Sequence, residues 1–240
     1  VDERKIVGYN YTLYKFKSRM ARFLVLTTNH CNLACPYCYE SPVAPRKNMD
    51  TVTADNTVMF IENIVREHRY KKLILGLYGG EPLLNLGCCS RICDKLRSWT
   101  EQKNIELDVI LTTNGTLLSE HVINRLSPLS SVHVTLDGPR DIHDKKRFWR
   151  DRKGTYDKII EGVHLLRERG IKTSIRINIA KDSLSALTSL LQDLKEFLNS
   201  EKIHVYTALL EKPCHIIGCG GHDSLYIPER EIDNTMDKLW

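Results

Sequence analysis

Three cysteines stand within eight residues near the amino-terminal end of the chain. The stretch HCNLACPYCYE contains Cys31, Cys35 and Cys38, with three and then two residues between them. Thiolates are soft ligands that suit zinc and iron–sulfur clusters. Structural zinc takes four ligands, usually in two separated pairs, and this triplet has no obvious partner pair. Three thiolates on a four-iron cluster leave one iron open, and an open metal position is where catalysis takes place.

Composition excludes several classes of protein. Of 240 residues, 42% are hydrophobic and 27% charged, which is ordinary for a globular domain with a core. No apolar run approaches the ~20 residues needed to cross a bilayer, and the polar start VDERKIVGYN is not a secretory signal. We therefore expect no membrane partner.

The net charge of +5 is mildly basic, and most basic residues are mixed with acidic ones. The exception is the run from Arg140 to Lys153, which is either a solvated loop or an anion-binding segment. A nucleic-acid partner is not expected, because no recognition module or dense basic stripe is present. Eight cysteines without a secretory signal favour metal or redox chemistry over disulfides, and indicate a cytoplasmic protein.

Short apolar runs alternate with longer amphipathic segments along the chain. The runs have the length of buried strands, and several are rich in Val, Ile and Thr. Strands are predicted over residues 22–28, 72–80, 107–115, 131–138, 172–179 and 203–210. Helices are predicted over residues 51–68, 89–102, 119–126, 155–170, 183–200 and 229–240.

Several helices carry recognisable features. Thr155 is the predicted N-cap of one helix and Gly170 its carboxyl-terminal stop, and Ser119 is a second predicted N-cap. The segment 183–200 has leucines at helical spacing, which predict a buried face. These are Leu184, Leu187, Leu191, Leu194 and Leu198.

Strands alternating with helices indicate right-handed βαβ units, a parallel sheet and an α/β fold. Six units fall short of the eight in a closed (β/α) barrel, so an open doubly wound sheet and a partial six-unit barrel remain. In both, the chemistry lies at the carboxyl ends of the strands. The unusual residues stand there: NHC, GGEP, TNG and DGP follow the first four strands, and Asn178 ends the fifth.

The cysteine spacing, with Tyr37 before the last cysteine, resembles the signature of the radical S-adenosylmethionine (radical SAM) enzymes. GGEPLL, TTNGTLL and TLDGPRDIHDKKR extend the resemblance over nearly the whole chain. They resemble the branch that modifies peptides and proteins, which includes anaerobic sulfatase-maturing enzymes, maturases of ribosomally made peptides and enzymes with a SPASM extension. The resemblance implies a partial six-unit (β/α) barrel with parallel strands.

Membership would imply a [4Fe–4S] cluster held by Cys31, Cys35 and Cys38, with SAM on the fourth iron. The family cleaves SAM reductively to a 5′-deoxyadenosyl radical, which abstracts hydrogen from the substrate. We expect a peptide or protein substrate, with a thioether or other crosslink, an epimerised residue or a formylglycine as product. We also expect an electron donor such as a flavodoxin or ferredoxin. The alternatives are radical chemistry on a small molecule, and a non-catalytic iron–sulfur or zinc protein for binding or redox sensing.

The resemblance also implies positions for SAM. Gly79 and Gly80 are expected to let the backbone approach its methionine end, and Glu81 to meet its ammonium. Thr135 and Arg147 are expected at its carboxylate, which a guanidinium can pair in bidentate fashion.

Other residues of the motifs have less defined roles. Asn114 and Asn178 are candidates for the ribose or methionine ends, and Tyr37 lies beside the adenine or is plain packing. Arg150 and Arg152 compete with Arg147. Asp137 is read as a turn residue, since Asp-Gly-Pro is a strong loop signal. His143 and Asp144 match the relatives but receive no catalytic role.

The remaining cysteines are assigned more simply. Cys88, Cys89 and Cys93 are expected to pack as small buried thiols. Cys214 and Cys219 are either first ligands of an auxiliary iron–sulfur cluster or part of a flexible loop. The predicted domains are a lead-in over residues 1–20 and a radical SAM core over 21–240, with a C-terminal auxiliary-cluster extension missing from this fragment.

Overall fold

The structure is a computed structural model, and it describes residues 19–38, 40, 45–180 and 186–210. The predicted helix at 229–240, Leu184, and the cysteines Cys214 and Cys219 lie outside the described residues. The boundary predicted at residue 20 stays a prediction.

Six parallel strands form one sheet in the order β1-β2-β3-β4-β5-β6. They are β1 Met20–Thr28, β2 Lys72–Gly79, β3 Glu106–Thr113, β4 Ser131–Leu136, β5 Lys172–Ile179 and β6 Ile203–Leu209. A doubly wound sheet reverses its strand order at a switch point, and this sheet does not. The predicted parallel α/β core with six units is therefore confirmed, with strand ends within two residues of those predicted.

Helices connect the strands. They are α1 Thr51–Glu67, α2 Leu86–Lys103, α3 Glu120–Leu126, α4 Arg140–Lys146, α5 Tyr156–Glu168, α6 Leu187–Asp193 and α7 Lys195–Leu198, with a short 3₁₀ turn at Pro82–Asn85. Ser119 caps α3 as predicted, because its hydroxyl accepts from the amide of Val122 at 3.3 Å. Gly170 follows α5 with φ +62°, the left-handed conformation typical of a helix stop.

The core lies between the helices and one face of the sheet. Leu73, Leu75 and Leu77 of β2 are fully buried in the same cluster as Ile92 and Leu96 of α2. Successive strand residues point to opposite faces, and β1 shows the consequence. Its Leu24 and Leu26 are 59% and 51% exposed. The second face of the sheet at this edge is thus open, as the concave side of a partial barrel is.

The segment 183–200 departs from its prediction. It does not form one helix, because α6 and α7 meet at Leu194. The buried residues are Leu190, Leu194 and Phe197, whereas Leu191 and Leu198 are 38% and 45% exposed. The aromatic ring of Phe197 lies 4.8 Å from the ring of His164, so packing of the largest side chain selects the buried face.

The cap of α5 is also different from its prediction. Thr155 occupies the N-cap position, but its hydroxyl donates to the carbonyl of Arg147 at 2.8 Å. Oδ1 of Asp144 accepts from the amides of Thr155 and Tyr156 at 2.8 and 2.9 Å. A side chain from the preceding helix therefore performs the capping.

The basic run from Arg140 is a solvated loop only in its second half, where residues 150–153 form an exposed turn. Its first half forms α4, in which His143 and Lys146 are buried. Within the described residues, no helix has the length and apolar character needed to cross a membrane.

Candidate cofactor site at the carboxyl ends of the strands

The three predicted ligands lie in one loop directly after β1. We call residues 30–38 the cysteine loop. Cys31, Cys35 and Cys38 are half-buried free thiols. Burial raises the pKa of Cys35 to about 12, and burial also raises the pKa of Cys31. Cys31 and Cys35 therefore hold their protons more tightly than ordinary thiols do, and binding of a metal would release those protons.

The donor set suits a cluster better than a single ion. Across the described ranges, no group of three or more His, Cys, Asp or Glu side chains surrounds one ion position. A cubane distributes its cysteine ligands over separate irons, so its thiolates do not converge on one point. Three soft sulfur donors in one loop have the chemistry for this type of centre.

Gly79 and Gly80 pack against the start of the cysteine loop. The amide of Gly80 donates to the carbonyl of Thr28 at 3.0 Å, and the amide of Glu81 donates to that of His30 at 2.8 Å. A Cβ atom at Gly79 would lie 2.1 Å from the oxygen of Thr28, and one at Gly80 would lie 2.5 Å from that of His30. Glycine is thus required at both positions because the backbone here passes close to the backbone that follows β1.

Glu81 joins the ends of β2 and β3. Its carboxylate accepts from the hydroxyl of Thr113 at 2.8 and 2.9 Å, and from the amides of Asn114 at 2.7 Å and Leu83 at 3.1 Å. The residue is fully buried, and burial raises its pKa to about 7. Both oxygens are already engaged by protein donors, so the contacts favour a positioning role for Glu81 over direct binding of an ammonium group.

Asn114 faces the first cysteine of the loop. Its Nδ2 donates to Oδ1 of Asn32 at 2.8 Å and approaches the sulfur of Cys31 at 3.8 Å. Its Oδ1 accepts from the amide and the hydroxyl of Thr116 at 3.0 and 2.7 Å. Asn32 and Thr116 were not predicted, and only their positions inside the CN and TNGT motifs could have indicated them.

A second polar group links the other end of the loop to β4 and β5. The hydroxyl of Tyr37 donates to Oδ2 of Asp137, and Nη1 of Arg147 donates to the same hydroxyl at 2.8 Å. Nδ2 of Asn178 donates to Oδ1 of Asp137 at 2.9 Å. Burial raises the pKa of Tyr37 well above its usual range. Asp137 stands in the loop after β4, as expected, and it is also fully buried at the centre of this group.

His143 is hydrogen-bonded to the polar group around Asp137. Its Nδ1 accepts from the amide of Asp137 at 3.2 Å, and its Nε2 lies 3.0 Å from the hydroxyl of Thr155. That hydroxyl gives its proton to the carbonyl of Arg147, so Nε2 of His143 must be the protonated nitrogen. Burial, with the charges of Arg147 and Lys146, lowers the pKa of His143 well below its usual range. The ring is therefore neutral and structural.

The structure distinguishes the three competing arginines. Arg147 is 9% exposed and turns towards Tyr37. Nη2 of Arg150 donates to the carbonyl of Cys31 at 3.0 Å from an exposed position. Arg152 lies over the ring of Phe148, with its guanidinium 4.6 Å from the centroid. Only Arg147 is buried beside the site.

Residues 147–154 hold the cysteine loop in place. Leu33 and Trp149 form an isolated antiparallel bridge, and the amide of Ala34 donates to the carbonyl of Phe148 at 3.0 Å. Thr135 remains apart from these contacts: it is half-buried in β4 beside Arg176, and its hydroxyl forms no hydrogen bond with the described residues.

The remaining described cysteines lie elsewhere. Cys88, Cys89 and Cys93 are free and buried in α2. The thiols of Cys88 and Cys89 donate to the carbonyls of Met49 and Pro82 at 3.2 and 3.3 Å. This agrees with their expected role as small buried thiols.

One buried polar atom beside the loop lacks a partner. Nε of Arg147 is buried and forms no hydrogen bond with the described residues. Such an atom costs free energy unless a ligand satisfies it. A buried guanidinium with a free donor fits an anionic group such as a carboxylate. The cysteine loop and this donor therefore fit a cluster with a carboxylate-bearing ligand next to it.

Comparison with known proteins agrees with this chemistry. The sequence matches the family described as the Radical SAM superfamily over residues 25–193. It is 27% identical over 171 residues to the Fe-coproporphyrin III synthase of Methanosarcina barkeri, covering 70% of the chain and 39% of that protein. It is 28% identical over 147 residues to a serine-type anaerobic sulfatase-maturating enzyme of Bacteroides thetaiotaomicron, covering 59% and 35%.

A third relative is a GTP 3′,8-cyclase of Clostridium perfringens, 30% identical over 161 residues that cover 65% of the chain and 45% of that protein. The chain thus spans less than half of each of these three relatives. Peptide-modifying and small-molecule enzymes match at similar identity, so the comparison does not single out the peptide-modifying branch.

Solved structures show the same fold. The structure described as native anSMEcpe with bound AdoMet and Cp18Cys peptide has a TM-score of 0.76 and 20% identity, over 92% of this chain and 58% of that one. Streptococcus suis SuiB bound to precursor peptide SuiA has a TM-score of 0.56 and 17% identity, over 87% and 44%. From the family match over residues 25–193, the chain belongs to the radical SAM superfamily, whose cofactors are a [4Fe–4S] cluster and S-adenosylmethionine.

Proposed function

We propose that this chain is the core of an enzyme that cleaves SAM reductively and abstracts a hydrogen atom from a peptide or protein substrate. One observation carries the proposal. The cysteine loop is hydrogen-bonded to the segments after β2, β3 and β4, next to a buried arginine whose Nε has no partner among the described residues. A protein that only stored a cluster would have no use for this anion-binding donor.

The ligands of the cluster are Cys31, Cys35 and Cys38. Held by these thiolates, a cluster would supply the electron for reductive cleavage of SAM. The protein keeps the loop in position through hydrogen bonds from the segments after β2 and β3. Because burial raises the pKa of Cys31 and Cys35, loading releases their protons and is favoured by higher pH.

The SAM carboxylate is assigned to Arg147, with the hydroxyl of Thr135, which bonds to none of the described residues, as a second donor. Gly79 and Gly80 place the backbone after β2 at the methionine end, and Glu81 orients that segment through Thr113 and Asn114. Tyr37 and Asn178 are held by Asp137, so their positions relative to SAM depend on this carboxylate.

A peptide substrate is supported by two similar structures that hold peptides. The open face of the sheet offers exposed Leu24 and Leu26 for apolar contacts. A small-molecule substrate is the second candidate, because relatives named as a coproporphyrin synthase and a GTP cyclase match at similar identity.

The electron donor is proposed to be a flavodoxin or ferredoxin in the cytoplasm. Exposed basic residues flank the cysteine loop. Arg46 and Lys47 belong to a segment that Asn29 binds, with 3.1 Å between its Nδ2 and the carbonyl of Pro45. Arg150 also contacts the loop, where its Nη2 donates to the carbonyl of Cys31 at 3.0 Å. This charge suits an acidic protein partner.

The test is anaerobic reconstitution with iron and sulfide, reduction with dithionite, addition of SAM and measurement of 5′-deoxyadenosine. We expect turnover in the wild type and none in a variant with all three loop cysteines changed to Ala. Cys88→Ala, which removes a thiol outside the loop, is the matched control and should retain both cluster and turnover. A wild type that takes up zinc instead, or forms a cluster without binding SAM, would favour a non-catalytic redox-sensing protein.

A further inference from the structure

We propose that Asn114 raises the reduction potential of the cluster through a hydrogen bond to the sulfur of Cys31. The inference rests on the proposed function, because it takes Cys31 as a cluster ligand. It assigns Asn114 a positioning role towards the sulfur, in place of the contact with SAM expected from its motif.

Two N–H groups are directed at this sulfur. The amide of Leu33 donates to Sγ of Cys31 at 3.5 Å, and Nδ2 of Asn114 donates to it at 3.8 Å. Within the part of the chain that the structure describes, the sulfurs of Cys35 and Cys38 receive no such bond. Among the three cysteines, Cys31 is therefore the one whose sulfur accepts N–H hydrogen bonds from the described residues.

The orientation of the Asn114 amide follows from its neighbours. The amide of Thr116 can only donate, and it lies 3.0 Å from Oδ1 of Asn114. The oxygen must therefore face Thr116, which leaves the NH₂ group facing the sulfur. Nδ2 of Asn32 donates to the hydroxyl of Thr116 at 3.0 Å, and closes a ring of three polar side chains beside Cys31.

The group is also rigid and sheltered. Asn114 is 6% exposed, and its backbone amide donates to the buried carboxylate of Glu81 at 2.7 Å. A donor held in a poorly solvated position acts strongly on charge next to it. Reduction adds one negative charge that the cluster shares with its sulfurs. An N–H group at a ligand sulfur stabilises this reduced form more than the oxidised one, and so raises the potential.

The experiment is a potentiometric titration of the reconstituted protein, followed by the EPR signal of the reduced cluster. Asn114→Leu removes the donor at similar volume. We expect the ratio of reduced to oxidised cluster at a fixed potential to fall roughly tenfold, which is about 59 mV for a one-electron couple. Asn114→Ala, which also removes the donor and adds no charge, should shift the potential in the same direction and replaces Asn114→Leu if that variant fails to fold.

Thr116→Val is the matched control. It breaks the ring by removing the hydroxyl, but it keeps the Thr116 amide that orients Asn114. The ratio of reduced to oxidised cluster at the fixed potential should therefore change by less than twofold. A shift in the reduction potential of Thr116→Val as large as that of the Asn114 variants would show that any disturbance of the ring changes the potential. That result would overturn the proposal. An unchanged potential in both Asn114 variants, in a protein that still cleaves SAM, would overturn this inference alone. A wild type without a cluster would overturn the proposed function as well.

Discussion

Nη1 of Arg147 donates a 2.8 Å hydrogen bond to the hydroxyl of Tyr37, although 110 residues separate the two in sequence. The same hydroxyl donates to Oδ2 of Asp137. A single phenol group thus bridges a buried cation and a buried carboxylate, in an environment where unpaired charge is costly. It also connects the cysteine loop to the segment after β4.

Removing this hydroxyl should weaken the fold itself. Tyr37→Phe leaves Arg147 and Asp137 each without one buried partner, which we expect to lower the free energy of unfolding by about 1–3 kcal/mol. Urea unfolding of the metal-free protein under reducing conditions measures this loss. Tyr70→Phe is the control, because the Tyr70 hydroxyl bonds to none of the described residues. Equal stabilities for the two variants would contradict the bridging role.

Glu81 should make stability depend on pH. Burial raises its folded pKa to about 7 from an ordinary value of 4.5, so the folded state holds the proton more tightly than the unfolded state does. Its stabilising contribution is complete below pH 4.5 and is lost as the pH rises through 7. The loss amounts to about 3 kcal/mol, at 1.36 kcal/mol for each unit of pKa.

Unfolding measured between pH 4.5 and 8 tests this dependence. Glu81→Gln should flatten the pH profile relative to the wild type, because an amide does not titrate. Glu101→Gln, at an exposed site in α2, should leave the slope of the wild type unchanged. If the free energy of unfolding of Glu81→Gln changes with pH as steeply as that of the wild type, groups other than Glu81 cause the pH dependence.

Gly80 should resist even the smallest side chain. In Gly80→Ala the new Cβ would lie 2.5 Å from the carbonyl oxygen of His30, and backbone must move to relieve the contact. We expect a loss of about 1–3 kcal/mol and a lower iron content after reconstitution, because the cysteine loop shifts. Gly87→Ala in α2 meets nothing within 4 Å and should stabilise the protein by about 0.4–1 kcal/mol. Full iron content in Gly80→Ala would show that the loop tolerates the shift.

Asp144 should act as the cap of α5. Asp144→Ala removes the acceptor of two backbone amides and should cost about 0.5–2 kcal/mol in the free energy of unfolding. Asp141→Ala, an exposed position in α4, is the comparison and should change stability by less than about 0.5 kcal/mol. Thr155→Val removes the two hydroxyl contacts of Thr155 but keeps the backbone amide that donates to Asp144. Its change in the free energy of unfolding therefore measures the hydroxyl contacts without the cap.

Much of the architecture could be predicted from local patterns. Apolar runs of strand length predicted all six strands. A strand of a parallel sheet that helices cover is buried, and a buried strand requires a continuous run of apolar residues. Ser119 and Gly170 were predicted correctly, because a cap or a left-handed stop depends on residues within a few positions. Six βαβ units in series also predicted that the motifs after each strand would meet at one edge of the sheet.

What local patterns missed depends on contacts between distant segments. In the segment 183–200, Leu194 is buried as predicted, but Leu191 and Leu198 are exposed, because Phe197 and Leu190 fill the core instead. Thr155 was expected to cap, but its hydroxyl donates to the carbonyl of Arg147, and Asp144 accepts from the amides at the start of α5 instead.

The same division holds at the site. Sequence alone determined that three thiols share one loop and that acidic, amide and glycine residues gather at the strand ends. Only the tertiary structure decided that Asp137 is a buried partner of Tyr37, that Arg147 is the inward arginine, and that Asn114 faces the sulfur of Cys31. These outcomes depend on which donor meets which acceptor across 80 to 110 residues. Spacing along the chain carries no record of such pairings, because they arise only when the sheet brings its strand ends together.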